Sequence, residues 1–345
     1  MCREPLNVWI LIDSRQIGGI ESHVIQLASG LLKLHIQPKV LLLKHYGEHP
    51  LTTQLEKADI PYEYLDGGLT KLIIKVKQEQ PDLIHTHGYK SGIVGRVASL
   101  LCFKPVVSSF HAGEVSNGKL KLYDFIDRYT AFLANKVISV SDKIAAKLPC
   151  HSLVIDNFVN TQHFKNSDGK QIAFVGRLSH EKGADYFLQL ANQFPNHLFH
   201  IYGDGPLMQD LKEIAPTNIQ FHGALETMDL AWQNIELLII CSRYEGLPLA
   251  ALEAMGRGIP VMASQVGGLP KLIDHQKNGW LFSVGDLNSL TSYLSDWLQM
   301  PLNDRQRYQQ RAKQRIDDQF SSQKVVPKVA LIYRHLTQKS GAHYE

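Results

Sequence analysis

The sequence predicts an α/β protein made of two doubly wound parallel sheets in tandem. Short β-branched runs alternate with longer helical patterns along most of the chain. The runs are near-continuously apolar, as strands covered on both faces must be, rather than alternating as in a half-solvated sheet. The alternation lapses once, at a polar, turn-rich stretch, and then restarts. Its 345 residues are enough for two domains that each bury a core.

In the first half the expected strands are "NVWILID", "PKVLLLK", "DLIHTHG", "PVVSSFH", "KVISVS" and "SLVIDN". Between the first two lies "ESHVIQLASGLLKL", whose Val24, Leu27, Ala28, Leu31 and Leu32 share one helical face. "NFVNTQHFKNSDGK" (Asn157 to Lys170) reads as a linker. The second set of strands is "QIAFVG", "LFHIYG", "NIQFHG", "LLIICS", "IPVMAS" and "GWLFSV". A closing helix, "SSQKVVPKVALIYRHL", carries Val325, Val329, Ile332 and Leu336 on its apolar face, and Pro327 should kink it or mark its first turn. In doubly wound sheets ligands sit at the carboxyl ends of the strands, so the residues that follow each strand carry the functional question.

Composition narrows the classes. Apolar content of 44% and charged content of 20% are ordinary for a globular protein. A net charge of +3 is too small to argue for nucleic acid. The excess of cations lies in residues 1–163, with 18 Lys and Arg against 15 Asp and Glu, which weakly suits an acidic or membrane-surface partner there. The four cysteines are scattered and form no C-x-x-C, so a reducing, cytoplasmic setting is expected, with no zinc knuckle. No run approaches the roughly 18 apolar residues of a membrane span, and the N-terminal apolar run is too short for a signal peptide.

Four stretches carry candidate chemistry. In "GRLSHEKG", Arg177 and Lys182 place two cations in a loop at a strand end, suited to a diphosphate; a solvated basic loop accounts for them equally well. In "QIGGIESH", Gly18 and Gly19 precede a helix and could turn backbone amides on an anion, or simply make a tight turn. Neither this stretch nor "YGDGPLM" completes G-x-G-x-x-G, so a dinucleotide fingerprint is unsupported. "SRYEGLPLAALEAM" leaves a buried strand with Glu245 in the loop and Glu253 inside the helix; Gly246 and Leu247 put backbone amides beside them, and Pro248 suits the first helical turn. Taken alone, two solvated acids explain that pair better than a site does. "ASQVGGLPKLI" repeats the strand, Gly-Gly, helix design and could close the same pocket.

Smaller features stay open. His85 and His87 have a spacing seen in metal sites but no third ligand nearby in sequence. Lys90 and Arg96 could face an acceptor phosphate or be surface charges on a helix. "KLKLYDFIDRY" is basic and aromatic, and reads as a solvated amphipathic helix or as a lipid-headgroup contact.

The ordered set "GRLSHEKG", "SRYEGLPLAALEAMGRGIPVMAS", "GGLPKLI" and "NGWLF", preceded by "GGIESHV", "HTHGYKSG", "SSFHAGE", "VISVS" and "VIDNFVN", resembles the retaining GT-B glycosyltransferases of glycosyltransferase family 4 over nearly the whole chain. The resemblance implies two Rossmann-like domains facing a central cleft, residues 1–163 on the acceptor side and 164–320 on the donor side, with a C-terminal helix, 321–345, crossing back to the first. It implies that Arg177 and Lys182 bind the diphosphate. Glu245 would contact the donor sugar, with Gly246, Leu247 and Pro248 framing the sugar-phosphate site, and Glu253 the nucleotide ribose. Gly18 and Gly19 would lie near the phosphates, and His111 would reach the donor sugar from the N-terminal domain.

The expected reaction is transfer of a sugar, with retention, from a UDP- or GDP-linked donor to a sugar or lipid-linked acceptor in cell-surface polysaccharide or lipopolysaccharide synthesis. No cofactor is expected. The chain has no Asp-x-Asp, so no essential metal is expected either. A GT-B nucleotide-sugar epimerase and a non-catalytic nucleotide-sugar binding subunit are the alternatives; a dehydrogenase lacks its fingerprint. The protein is expected in the cytoplasm, with peripheral membrane contact at most and no nucleic-acid partner.

Overall fold

The computed structural model describes residues 5–15, 18–111 and 119–341. Cys2, the "QI" of the first glycine loop and the "AGE" after His111 lie outside them. The chain forms two compact units. One runs to Phe158 and takes back the chain from Ser322; the other is Val159–Ser321.

The first unit holds β1 (Leu6–Ile12), β2 (Ile36–Leu42), β3 (Tyr62–Tyr64), β4 (Leu83–His87), β5 (Val106–Phe110), β6 (Lys136–Ser139) and β7 (Leu153–Val154), in the order β3-β2-β1-β4-β5-β6-β7. All neighbours run parallel. The expected strand "SLVIDN" shrinks to the two residues of β7 at the sheet edge. Val8 to Ile12 of β1 are essentially inaccessible to water, which is why this central strand reads as an unbroken apolar run. The strand order reverses between β1 and β4, the topological switch point. Register pairs Ile12 with His87, so His87 ends β4 at that point.

The helix Ser322–Gly341 belongs to this unit and packs on the helix Gly19–Leu32. A Cβ on Gly30 would fall 2.7 Å from Val326 Cγ2, so the small residue sets how closely the helices approach. The buried face is Val325, Val326, Val329, Ala330 and Tyr333, with Ile332 and Leu336 only partly covered. The apolar face is therefore rotated from the expected one, and it contains a tyrosine that hydrophobic periodicity does not single out. Pro327 lies inside the helix, beyond its first turn.

Arg96 is neither an acceptor contact nor a surface charge. It is 1% exposed, and its guanidinium donates to the Asp127 carboxylate at 2.6 Å, the Asp127 carbonyl at 2.9 Å and Thr130 Oγ1 at 2.8 Å. Gly92 makes room, since a Cβ there would meet Asp127 Oδ1 at 2.3 Å. Through this pair the helix Lys119–Tyr129 is fixed to the helix Tyr89–Cys102. Lys90 is partly exposed, with its Nζ 3.5 Å from Asp13.

The second unit holds β8 (Gln171–Val175), β9 (Phe199–Tyr202), β10 (Ile219–Gly223), β11 (Ile235–Ile240), β12 (Val261–Ser264) and β13 (Gly279–Phe282), ordered β10-β9-β8-β11-β12-β13 and parallel throughout. Its switch point lies between β8 and β11. The loops that follow these two strands are "GRLSHEKG" and "CSRYEGLP", the two stretches the sequence singles out.

Removing the Asp127 carboxylate leaves a buried guanidinium without its counter-charge, which typically costs about 3–5 kcal/mol. Asp127→Ala is therefore expected to lower the urea midpoint strongly. An unchanged midpoint would mean the pair does not hold the two helices together.

Candidate active site

The second unit gathers the charged candidates at its switch point. Arg177 follows β8 and is exposed. Lys182 ends a 3-10 turn, His180–Lys182, just before the helix Ala184–Gln193. Its ammonium donates to both oxygens of Glu245, at 2.8 and 2.9 Å. Ser242 Oγ donates to Glu245 Oε1 at 2.7 Å. The Glu245 side chain is only 6% exposed and that of Lys182 25%, so the pair has one face toward solvent, through the lysine.

Glycines bring these loops together. Gly183 has φ +66°, and a Cβ on it would lie 2.1 Å from the Cys241 carbonyl oxygen. Gly267, at φ +57°, would set a Cβ 2.2 Å from the Glu245 carbonyl oxygen, and Gly268 N–H donates to the Gly246 carbonyl at 2.6 Å. Only a residue without a side chain fits either place. The Gly-Gly after β12 is thus no independent turn: it braces the backbone that carries Glu245. Arg243 completes the frame. Its guanidinium grips Asp185 with two bonds of 2.8 and 2.6 Å, and its N–H donates to the Glu181 carbonyl at 2.8 Å, tying the two charged loops together. Partial burial works to raise Glu181, but its own backbone and the charges of Arg177 and Lys182 hold it below the usual carboxylate range.

Glu245 lies before, and Glu253 within, the helix Leu249–Gly256; Pro248 caps that helix rather than opening its first turn. Leu247 is buried. Glu253 Oε2 accepts from the Trp232 indole N–H at 3.0 Å. Burial pushes the Glu253 carboxyl up, opposed by Arg257 and Trp232. Arg257 itself is stacked 3.5 Å over the Phe164 ring and bonded to Asp229 at 2.8 Å. Glu253 is therefore not a solvated helix residue. Sequence reasoning missed Ser242, Arg243 and Trp232. Ser242 and Arg243 stand within three residues of Glu245, where a helix-periodicity search does not look; nothing in the sequence pairs Trp232 with Glu253.

The first unit brings together four histidines. His87 Nδ1 and His111 Nε2 are 2.9 Å apart. His23 stacks edge-on to His111 with ring centroids 4.7 Å apart. His85 bridges Ser109 Oγ at 2.7 Å and the Tyr333 hydroxyl at 2.5 Å. Gly18 caps the helix that begins at Gly19, and that helix carries His23. Ligand-capable nitrogens of His23, His87 and His111 lie within 4.8 Å of one another, so the fold gathers three imidazoles around His87 and leaves out His85, whose two nitrogens are taken by Tyr333 and Ser109. This is the one group among the described residues arranged to hold a metal. The cluster also suits a polyhydroxyl ligand, because His23 Nδ1 and His87 Nε2 are buried with no hydrogen-bond partner.

Comparison with known proteins agrees with both units. Residues 157–315 match the family model described as "Glycosyl transferases group 1", and residues 17–163 match "Glycosyltransferase Family 4". The chain is 29% identical over 268 residues to the UDP-Gal:alpha-D-GlcNAc-diphosphoundecaprenol alpha-1,3-galactosyltransferase of Escherichia coli, covering 66% of this chain and 69% of the relative. It is 27% identical over 352 residues to a Campylobacter jejuni alpha-1,4-N-acetyl-D-galactosaminyltransferase that acts on a GalNAc-containing diNAcBac-PP-undecaprenol, covering 91% and 94% of the two chains. Anabaena Alr3699/HepE, solved in complex with UDP-glucose, superposes with a TM-score of 0.79 at 21% identity, over 95% of this chain and 99% of that one. Both halves match glycosyltransferase models and the curated relatives are glycosyltransferases over most of their length, so the chain is a glycosyltransferase; its two doubly wound units, with the final helix returned to the first, have GT-B architecture.

Burial lowers all four imidazoles: His85 to about 3, His23 to about 4 against an opposing Asn157 hydrogen bond, and His87 and His111 well below the ordinary value. Their folded-state values lie below the unfolded value of about 6.5, so the unfolded chain takes up more protons as pH falls from there. Stability is expected to drop from pH 7.5 to pH 5 by about 2 kcal/mol for each of His23 and His85. Urea denaturation of the full chain at the two pH values tests this, and His85→Gln should flatten the dependence. Stability independent of pH over this range would contradict the neutral cluster.

Proposed function

We propose that the protein is a family 4 enzyme that transfers a sugar, with retention, from a nucleoside diphosphate donor to an acceptor hydroxyl in the assembly of a cell-surface polysaccharide or lipopolysaccharide. The observation that carries this reading is the Lys182–Glu245 pair at the switch point of the second unit, with exposed Arg177 on one of the same loops. An ammonium has three donors, so Lys182 can keep Glu245 and still meet a phosphate oxygen. Arg177 and the amides of Gly246 and Leu247, before the helix Leu249–Gly256, add positive potential where the leaving diphosphate gains charge.

Both Glu245 oxygens already accept strong donors from Lys182 and Ser242. That loading suits a carboxylate that orients the donor sugar better than one that attacks it. Retention then proceeds on one face. The bond from the anomeric carbon to the phosphate oxygen breaks, the acceptor oxygen bonds to the same face, and its proton passes to the leaving phosphate. Glu253, steadied by Trp232, is the residue for the ribose hydroxyls. Gly18, Gly19 and His111 are assigned to the phosphates and the donor sugar, whose hydroxyls would satisfy the orphaned nitrogens of His23 and His87 beside His111.

The Escherichia coli relative is named for UDP-Gal and a diphosphoundecaprenol substrate, the Campylobacter jejuni relative for a PP-undecaprenol substrate, and HepE was solved with UDP-glucose, which supports a UDP-sugar donor and a lipid-linked acceptor here. Such an acceptor calls for a protein that works peripherally at a membrane, in the cytoplasm; among the described residues no helix is long and apolar enough to cross one.

Calorimetry with UDP, GDP and ADP, with and without chelator, tests the donor site. Chelator-insensitive binding of UDP is expected. Arg177→Ala should weaken it about tenfold, the scale of one charge-assisted bond; unchanged affinity would remove the phosphate assignment. Glu245→Gln keeps the shape but loses the charge facing Lys182, and should slow transfer by roughly 100-fold or more while UDP still binds. Normal turnover in that variant would end the role given to Glu245.

A further inference from the structure

The helix Lys119–Tyr129 is amphipathic in the reverse sense. Its acids point inward: Asp124 and Asp127 are 5% and 3% exposed, paired with Arg128 and Arg96. Its large apolar side chains point outward. Leu122, Phe125 and Tyr129 are 62%, 53% and 57% exposed, and Phe132, in the turn that follows, is 65% exposed. The spacing of three and four residues keeps Leu122, Phe125 and Tyr129 on one stripe of the helix, and exposed Phe132 follows in the adjoining 3-10 turn. The Phe125 and Tyr129 rings pack on each other, with centroids 4.3 Å apart, rather than on the core. The neighbouring helix, joined through Arg96 and Asp127, ends the same way, with Leu100 and Leu101 more than half exposed and Phe103 at 87%. Phe103 also holds φ at +55°, a conformation that costs energy for a side chain of this size.

Burial of the two acids decides the charge of this surface. Within residues 97–111 and 121–136, Asp124 neutralises Arg128, and the other charged side chains that reach solvent are Lys104, Lys121 and Lys136, all cations. Lys121 adjoins Leu122 and Lys104 adjoins Phe103. Exposed aromatics with lysines beside them match the interfacial region of an anionic bilayer, where the rings enter the headgroup zone and the cations meet lipid phosphates. A second copy of the chain is a poorer occupant, since a two-fold interface would set this cationic surface against itself.

We propose that the stripe Leu122, Phe125, Tyr129 and Phe132, with Leu100, Leu101 and Phe103 of the adjoining helix end, is the surface by which the first unit docks reversibly on an anionic membrane. It deepens the reading of a lipid-linked acceptor and rests on it, since docking would bring the acceptor-side unit to the lipid. Neither the apolar stripe nor the cations alone gives stable anchoring; together they give binding that salt weakens.

The test is sedimentation of the full chain with vesicles of 70% phosphatidylcholine and 30% phosphatidylglycerol, and with phosphatidylcholine alone. Binding to the mixed vesicles, reduced by high salt, is expected. Phe125→Ser with Phe132→Ser should lower the partition coefficient at least about tenfold. Leu302→Ser, which removes a similarly exposed leucine from the second unit, should leave it unchanged. Lys104→Glu with Lys121→Glu, which leaves the aromatics in place, should lower binding to the mixed vesicles only. Absence of wild-type binding would overturn the proposal, as would full binding by the serine variant, or a wild-type dimer that this variant dissociates while vesicles are ignored. UDP calorimetry on the same samples separates the two readings. Vesicle binding without UDP binding would sink the transferase reading and leave this surface standing; UDP binding without vesicle binding would do the reverse.

Discussion

Glu245 is a carboxylate with almost no access to water, held by an ammonium and a hydroxyl. A charge in that position must be compensated within a few ångströms, or it is expelled or neutralised. Much of the second unit's upper edge answers this requirement. The loop after β8 supplies Lys182, the loop after β11 supplies Ser242, and the Gly-Gly after β12 presses on the backbone that carries the carboxylate. Each approach is closer than any side chain would permit. The glycines act as spacers of minimum width that bring three loops to one point.

The first unit solves a different problem with the same topology. Its switch point carries neutral imidazoles in place of an ion pair, and burial keeps them uncharged. Four such rings can share a small volume because none repels another while neutral. Tyr333 links this cluster to the returning helix through His85. A directional hydrogen bond thus joins this helix to the middle of a central strand, beside the hydrophobic packing of the same helix.

The sheets were legible because buried parallel strands leave a strong trace: Val8 to Ile12 and Leu237 to Ile240 are apolar at each position. The order of "GRLSHEKG" and "SRYEGLP" along the chain also located the loops around the second switch point. Contacts between residues distant in sequence were not legible. Nothing in the spacing of Arg96 and Asp127 shows that they neutralise each other, so Arg96 reads as a surface charge until the fold buries it. The same holds for Trp232 against Glu253 and for His23 beside His111. A periodicity pattern reports which face of a helix is apolar, but not whether that face turns inward. The helix Lys119–Tyr129 turns its acids in and its rings out, which only the burial of Asp124 and Asp127 reveals.

The return of the final helix to the first unit has a consequence for synthesis. Val325, Val326, Val329, Ala330 and Tyr333 are part of a core whose other members lie before residue 159. As the chain leaves the ribosome, the first unit must wait, with the apolar surface of the helix Gly19–Leu32 uncovered, until the second unit has been made. The unit encoded second is the one that can finish folding first. The unit encoded first closes only when the helix from Ser322 emerges, so a stop in translation just after Ser321 costs the chain the core of its first-made unit and leaves that of the second whole.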